Sequence, residues 1–256
     1  MYKNFNKKFL LLLILSLSAT TALAEPAVDG KFVYITSLYN EQSEKRIDEY
    51  IQCLEKNLAH RLIKNFHVIY DTTSDSPSKD LPILDYLKSK NINITYIKGR
   101  PTYSFCFSLA NELYPDQKII LSNADIYFND TLTLLEDYDL TNKLLAITRW
   151  QVNPDGTLMP YMRKHNIPSL NSQDTWIFNT PFHVSENYNI EIGTVHCDNL
   201  LAYYARKSEL VVINPCLSIQ CCHLHLSNVR NYSRAVPYPK ILVGFKYAPW
   251  QYLIKD

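Results

Sequence analysis

Apolar residues recur along this chain with two alternating periods. Phe32-Val33-Tyr34-Ile35-Thr36, within Lys31 to Ser37, is a run of β-branched and aromatic residues of the kind buried on both faces of a parallel sheet. From Ser43 to Leu62 the period changes. Ile47, Tyr50, Ile51, Leu54 and Leu58 follow at steps of three and four, which places them on one face of a helix. Phe66 to Tyr70 predicts a second strand, closed by the loop-forming Asp71-Thr72-Thr73-Ser74-Asp75-Ser76-Pro77. A helix over Leu81 to Lys90 follows, with Pro82 in its first turn, where a missing amide hydrogen costs little. Ile92 to Ile97 predicts a strand, Ser104 to Tyr114 a helix ended by Pro115, and Lys118 to Ser122 a fourth strand. Strands alternating with helices predict an α/β fold, a mostly parallel central sheet with helices on both faces.

The second half is less regular. It predicts a short helix from Thr131, a strand at Leu144 to Thr148, a turn at Asn153-Pro154-Asp155-Gly156 and a polar stretch through Gln173. A strand at Asp174 to Phe178, a helix at Cys197 to Lys207 and a strand at Leu210 to Ile213 come next. Tyr238 to Tyr252, rich in proline and aromatic residues, reads as an extended tail without chemistry. There is no internal repeat, so residues 25–256 are expected to form a single domain.

Charge excludes some partners. The 26 basic and 25 acidic residues are dispersed, which leaves no footprint for nucleic acid or an anionic membrane surface. Lys3, Lys7 and Lys8, the apolar run Phe9 to Leu17 and the small residues ending in Ala22-Leu23-Ala24 predict a signal peptide over residues 1–24, cleaved before Glu25. An uncleaved anchor is the alternative, against which the shortness of the run counts. The mature chain is then exported, to a secreted, periplasmic or lumenal place, and carries no membrane span. Six cysteines, Cys53, Cys106, Cys197, Cys216, Cys221 and Cys222, would there form disulfides or stay as buried thiols. No Cys-x-x-Cys is present to suggest a zinc site.

Ligands of open α/β sheets bind beyond the carboxyl ends of the strands. Asn123-Ala124-Asp125 occupies such an end. An amide oxygen and a carboxylate one residue apart can both reach a hard divalent ion that bridges a diphosphate, although Asn and Asp are also ordinary turn-formers. His223 and His225 face the same side of an extended segment. Neutral imidazole suits manganese or zinc more than magnesium, and one of the pair could equally be a hydrogen-bonded core histidine. Asp174 and Asp198 are the candidates for a base that deprotonates an acceptor, but Asp198 also fits as the cap of the helix after it. Trp176 offers a stacking face for a sugar. Arg149, Arg163, Arg230 and Arg234 are the guanidinium candidates for phosphate, Arg230 being chosen because it closely follows the histidines.

Three segments, in this order, carry a resemblance: Thr36-Ser37-Leu38-Tyr39-Asn40-Glu41 after the first strand, Asp71 at the end of the second, and Ser122-Asn123-Ala124-Asp125-Ile126-Tyr127-Phe128 at the fourth. Over roughly Phe32 to Tyr232 the chain resembles the GT-A superfamily of glycosyltransferases. In that superfamily a Tyr-Asn-Glu loop often follows the first strand, an aspartate ending the second reads the nucleotide base, and an Asp-x-Asp element with a late histidine holds a metal. The resemblance implies a single GT-A-like, Rossmann-like domain. It implies a nucleotide-sugar donor held by Thr36, Tyr39, Asn40 and Asp71, with Asn123 and Arg230 added, and a divalent metal, manganese ahead of magnesium, held by Asp125 with His223 or His225. The implied activity is transfer of a sugar from a nucleotide-diphosphate donor to a hydroxyl of a glycan, lipid or protein. Asn123 departs from the motif, and its neutral amide is a weaker ligand than a carboxylate. A non-catalytic nucleotide- or carbohydrate-binding module, or a metal-dependent hydrolase of phosphoesters or sugar nucleotides, are the alternatives.

Overall fold

The computed structural model describes residues 30–73, 81–163, 167–168, 172–184, 189–229 and 248–254. The predicted signal segment, most of the C-terminal tail, Arg230 and Arg234 lie outside the described residues. In the first half, β1 (Phe32–Tyr39), α1 (Glu44–Leu58), β2 (Ile63–Asp71), α2 (Pro82–Ser89), β3 (Asn93–Ile97), α3 (Tyr103–Leu113) and β4 (Lys118–Ser122) alternate as the hydrophobic pattern predicts. Next come β5 (Ile126–Phe128), a 3-10 helix (Asp130–Leu135), β6 (Lys143–Ile147), β7 (Trp150–Val152), β8 (Leu158–Pro160), β9 (Met162–Arg163), β10 (Ile167–Pro168), β11 (Thr175–Asn179), α4 (Cys197–Lys207), β12 (Val211–Ile213) and β13 (Cys221–His223).

Seven strands form the central sheet in the order β12-β6-β11-β4-β1-β2-β3. It is mostly parallel. β11 alone runs against its neighbours, β4 and β6. The period of two along β1 sends Phe32, Tyr34 and Leu38 into a core shared with Tyr50 and Leu54 of α1 and Leu84 and Leu87 of α2. Val33 and Ile35 point the other way, into a second core with Tyr103 and Phe107 of α3 and Leu200 and Leu201 of α4. Helices therefore cover both faces. Trp176 belongs to that second core. It is 1 % exposed and stacks edge-on against Tyr103 at 4.8 Å, so it has no face to offer a sugar.

A smaller sheet, β5-β13-β7-β8, lies beyond the carboxyl end of β4, and β9 pairs with β10 in a short ribbon. The smaller sheet matters for the site because β13 pairs with β5 on one side and β7 on the other. The disulfide expectation is corrected: all six cysteines are free thiols. They are dispersed through the core, Cys106 and Cys197 on one face of the central sheet and Cys216 and Cys221 on the other. Cys221 and Cys222 are consecutive in a strand and point to opposite faces. Burial pushes all six thiols up, which leaves them inert. No helix among the described residues is long and apolar enough to cross a membrane.

Candidate active site

A cleft of about 630 Å³ opens at the carboxyl ends of the central strands. Asp71 and Tyr39 stand at one end, Asp125, His223 and His225 on the floor, and Asp174 on the far wall. β4 delivers the floor. At its end the chain turns through Asn123-Ala124-Asp125, with Ile126 N–H donating to the Asn123 carbonyl at 3.2 Å, and enters the smaller sheet as β5. Leu224 N–H donates to the Asp125 carbonyl at 2.9 Å, so the histidine segment is bonded to the turn itself.

Side chains converge from elements far apart in sequence. His223 Nε2 lies 3.1 Å from Asp125 Oδ2, and His223 Nδ1 lies 2.9 Å from Gln151 Oε1 on β7. His225 Nε2 donates to the Val229 carbonyl at 2.8 Å. That bond fixes the tautomer and leaves Nδ1 as the nitrogen with a lone pair, a common way of orienting a metal-binding imidazole. One ligand atom each from Asp125, His223 and His225 falls within 4.8 Å of the others. Ligands about 2.1 Å from one tetrahedral ion lie about 3.4 Å apart, so closure of up to roughly 1.4 Å would seat a divalent ion. One carboxylate and two imidazoles suit manganese or zinc, and these three residues therefore fit the metal that the resemblance implies.

Asp125 also has a partner that the hydrophobic pattern did not reveal. Arg46 Nη2 of α1 donates to Asp125 Oδ2 at 2.8 Å. The same guanidinium pairs through Nη1 with Glu49, and its Nη2 also donates to the Tyr50 hydroxyl at 3.2 Å. Glu49 in turn accepts the Ser227 N–H at 2.7 Å and the Ser227 hydroxyl at 3.0 Å. Burial works to raise the Asp125 pKa, but His223 and Arg46 prevail and hold the carboxyl well below its usual range. Glu49 is depressed too: burial opposes it, while the Ser227 N–H and Arg46 prevail.

Asp71 is held differently. Its Oδ1 accepts Thr73 N–H at 2.8 Å, the Thr73 hydroxyl at 2.6 Å and Gly99 N–H at 2.9 Å. Burial is overcome by these donors and the carboxyl pKa is lowered. The Tyr39 hydroxyl donates to Glu41 Oε2 at 2.7 Å, while Glu41 Oε1 accepts Gln42 N–H at 2.8 Å and Ser43 N–H at 2.9 Å. Glu41 thereby ties the loop to the start of α1, whose N-cap Ser43 makes no side-chain cap bond.

The remaining sequence candidates separate. Asn123 lines the cleft, and its amide donates to Asp174 Oδ1 at 3.0 Å. Asp174 is further clamped by Arg149, whose Nη1 lies 2.9 and 3.0 Å from its two oxygens and whose guanidinium stacks over Tyr161. Thr36 and Asn40 are buried, at 0 % and 5 % exposure, and do not line the cleft. Thr36 belongs to the interior of β1, and Asn40 accepts a bond from the Gln42 side chain at 3.0 Å. Asp198 also stays out of the cleft. Its carboxylate accepts Gln173 N–H at 2.9 Å and Asn199 N–H at 3.0 Å in the first turn of α4, a structural role, although the N-cap is His196 and not Asp198 as the sequence suggested. Burial, helped by Asp174, pushes its pKa to about 7 against the lowering effect of those N–H donors.

Arg46, Glu49, Arg100 and Gln151 were not among the sequence candidates. For Arg46 a signal existed. At 100° per residue it falls in the middle of the stripe formed by Tyr50, Cys53, Leu54 and Asn57, and a charge there calls for a buried partner. Arg100 lies in the cleft with Nη1 donating to the Ile192 carbonyl at 3.1 Å. A Cβ on Gly193 would sit 2.9 Å from that Nη1, so glycine leaves room for it.

No protein-family model and no curated protein sequence matches the chain. Solved structures do. GalNAc-T7 with UDP, GalNAc and Mn2+ matches at a TM-score of 0.50 and 11% identity, over 85% of this chain and 46% of that one. The mannosyltransferase PcManGT from Pyrobaculum calidifontis, in complex with GDP-Man and Mn2+, matches at 0.47 and 12%, over 75% and 56%. S. aureus TarS 1-349 in complex with UDP-GlcNAc matches at 0.46 and 17%, over 78% and 62%. In each case the chain spans less than two thirds of the solved chain. The match to GalNAc-T7 gives the fold: it is that of the GT-A glycosyltransferases.

Proposed function

We propose that this chain is a glycosyltransferase that moves a sugar from a nucleoside-diphosphate donor to a hydroxyl acceptor. The observation that carries the reading is the convergence of Asp125, His223 and His225 at the end of β4, in a cleft that continues to Asp71. Its volume lies within the range of small-molecule sites. GalNAc-T7, which shares the fold, was solved with UDP, a sugar and Mn2+. In the proposed complex the nucleoside lies at Tyr39 and Asp71, and the diphosphate lies over the floor within reach of Arg100. A divalent ion held by Asp125, His223 and His225 would neutralise the leaving diphosphate. Asp174, held at the cleft wall by Arg149 and Asn123, would take the acceptor's proton in this reading, and Asp198, which does not line the cleft, would not. The basic and apolar start of the chain adds the proposal that the enzyme is exported, which the N-terminal sequence of the secreted protein would test.

The deciding assay incubates the protein with a panel of nucleotide sugars and Mn2+ and follows nucleotide release with and without acceptors. Release that requires an acceptor is the expected result. Release indifferent to acceptor would make the protein a hydrolase, and binding without release a non-catalytic module.

A further inference from the structure

We propose that Arg46 is the resident cation of the site and competes with a divalent ion for Asp125. The inference rests on the reading above only in taking Asp125, His223 and His225 as the ion's ligands. Three observations carry it. Arg46 Nη2 is 2.8 Å from Asp125 Oδ2, the same oxygen that His223 Nε2 approaches at 3.1 Å, so the guanidinium occupies a ligand direction of the carboxylate. The side chains of Arg46 and Asp125 are 6% and 13% exposed, so water screens their attraction poorly. Arg46 is also tethered on its other side by Glu49, itself held by Ser227, and cannot leave the neighbourhood when an ion arrives.

Asn123 sharpens the competition. A second carboxylate at that position would offset the guanidinium, but the amide adds no charge and is turned to Asp174. Asp125 is the one acidic ligand of the three, and Arg46 already balances it. An ion seated on Asp125 meets the positive charge of the guanidinium beside it. Binding therefore requires the Arg46 to Asp125 bond to lengthen, with Arg46 left on Glu49 and Tyr50. The affinity of the site for metal is set low by a residue that is not a ligand.

The test uses Mn2+ alone, with free ion counted by electron paramagnetic resonance in the full-length protein and its Arg46→Gln variant. The variant is expected to bind Mn2+ at least tenfold more tightly. Equal or weaker binding, or no binding to either protein, overturns the proposal. Because loss of Arg46 leaves the Glu49 carboxylate without its counter-charge and could unfold the chain, a second measurement needs no variant. In the wild-type protein the Arg46 Nε–Hε nuclear resonance should shift on saturation with diamagnetic Zn2+, and an unshifted line also overturns the proposal. UDP and GDP binding, measured on the same samples, separates this from the transferase reading. Tighter Mn2+ binding in the variant with no nucleotide bound by either protein keeps the role of Arg46 and removes the transferase.

Discussion

Asp71 and Asp125 stand at the carboxyl ends of two strands of one sheet and face one cleft, yet they are held by different means. Asp71 takes two of its bonds from Thr73, two residues on, and one from the Gly99 backbone. Asp125 takes its bonds from the side chains of Arg46 and His223, on a helix and a strand distant in sequence. The first arrangement is chiefly a local turn, with the Gly99 N–H as its one distant donor. The second exists only when α1, the turn after β4 and the smaller sheet are all in place, so it reports on the assembled fold.

This contrast can be broken from its stronger side. Asp125→Ala leaves a buried guanidinium with one carboxylate in place of two, and it should cost about 3 kcal/mol of stability by urea unfolding. It should also abolish metal binding and any metal-dependent nucleotide binding by calorimetry, and a variant that retains both would remove Asp125 from the site. Glu49→Ala should follow at about 2 kcal/mol, because it removes charge-assisted bonds to Arg46 and to Ser227. Protease nicking near Ser227 should rise with it, since Glu49 holds that segment against α1.

The smallest effect belongs to Asp71. Asp71→Asn keeps an acceptor oxygen but loses the charge, so at neutral pH it should lower the urea midpoint only slightly while weakening nucleotide binding about tenfold. Its sign with pH is set by a folded-state pKa below the ordinary value of 3.8. The stabilisation is present above that pH and lost as pH falls below it. Urea midpoints of wild type and variant should therefore converge on acidification below about pH 4.

The same division explains what could be read from the chain before folding. β4 and α4 have the bounds that hydrophobic period and flanking residues predict, and Asp71 and Asp125 lie at strand ends as expected. The smaller sheet was not legible as a whole: β5, β7, β8 and β13 are three residues each, too short to display an alternation. Thr36 looked available because it adjoins a site loop, but in a strand buried on both faces it points into the interior. Arg46 is invisible to a pattern of apolar residues alone, because it is a charged member of an otherwise buried helical stripe. Asp174 and Asp198 looked equivalent as acids before a loop or helix, and only packing distinguishes the one in the cleft from the one behind it.

The pairing of β13 has a consequence for which changes the chain can tolerate. His223 sits opposite Ile126 on one side and Gln151 on the other, and Leu224 is bonded to Asp125 itself. Sliding that strand by a single residue would exchange the side chains on its two faces, turning an imidazole away from the cleft and a thiol toward it. Insertions and deletions between Ile219 and His225 should thus be far rarer among functional descendants of this sequence than substitutions at the positions other than His223 and His225.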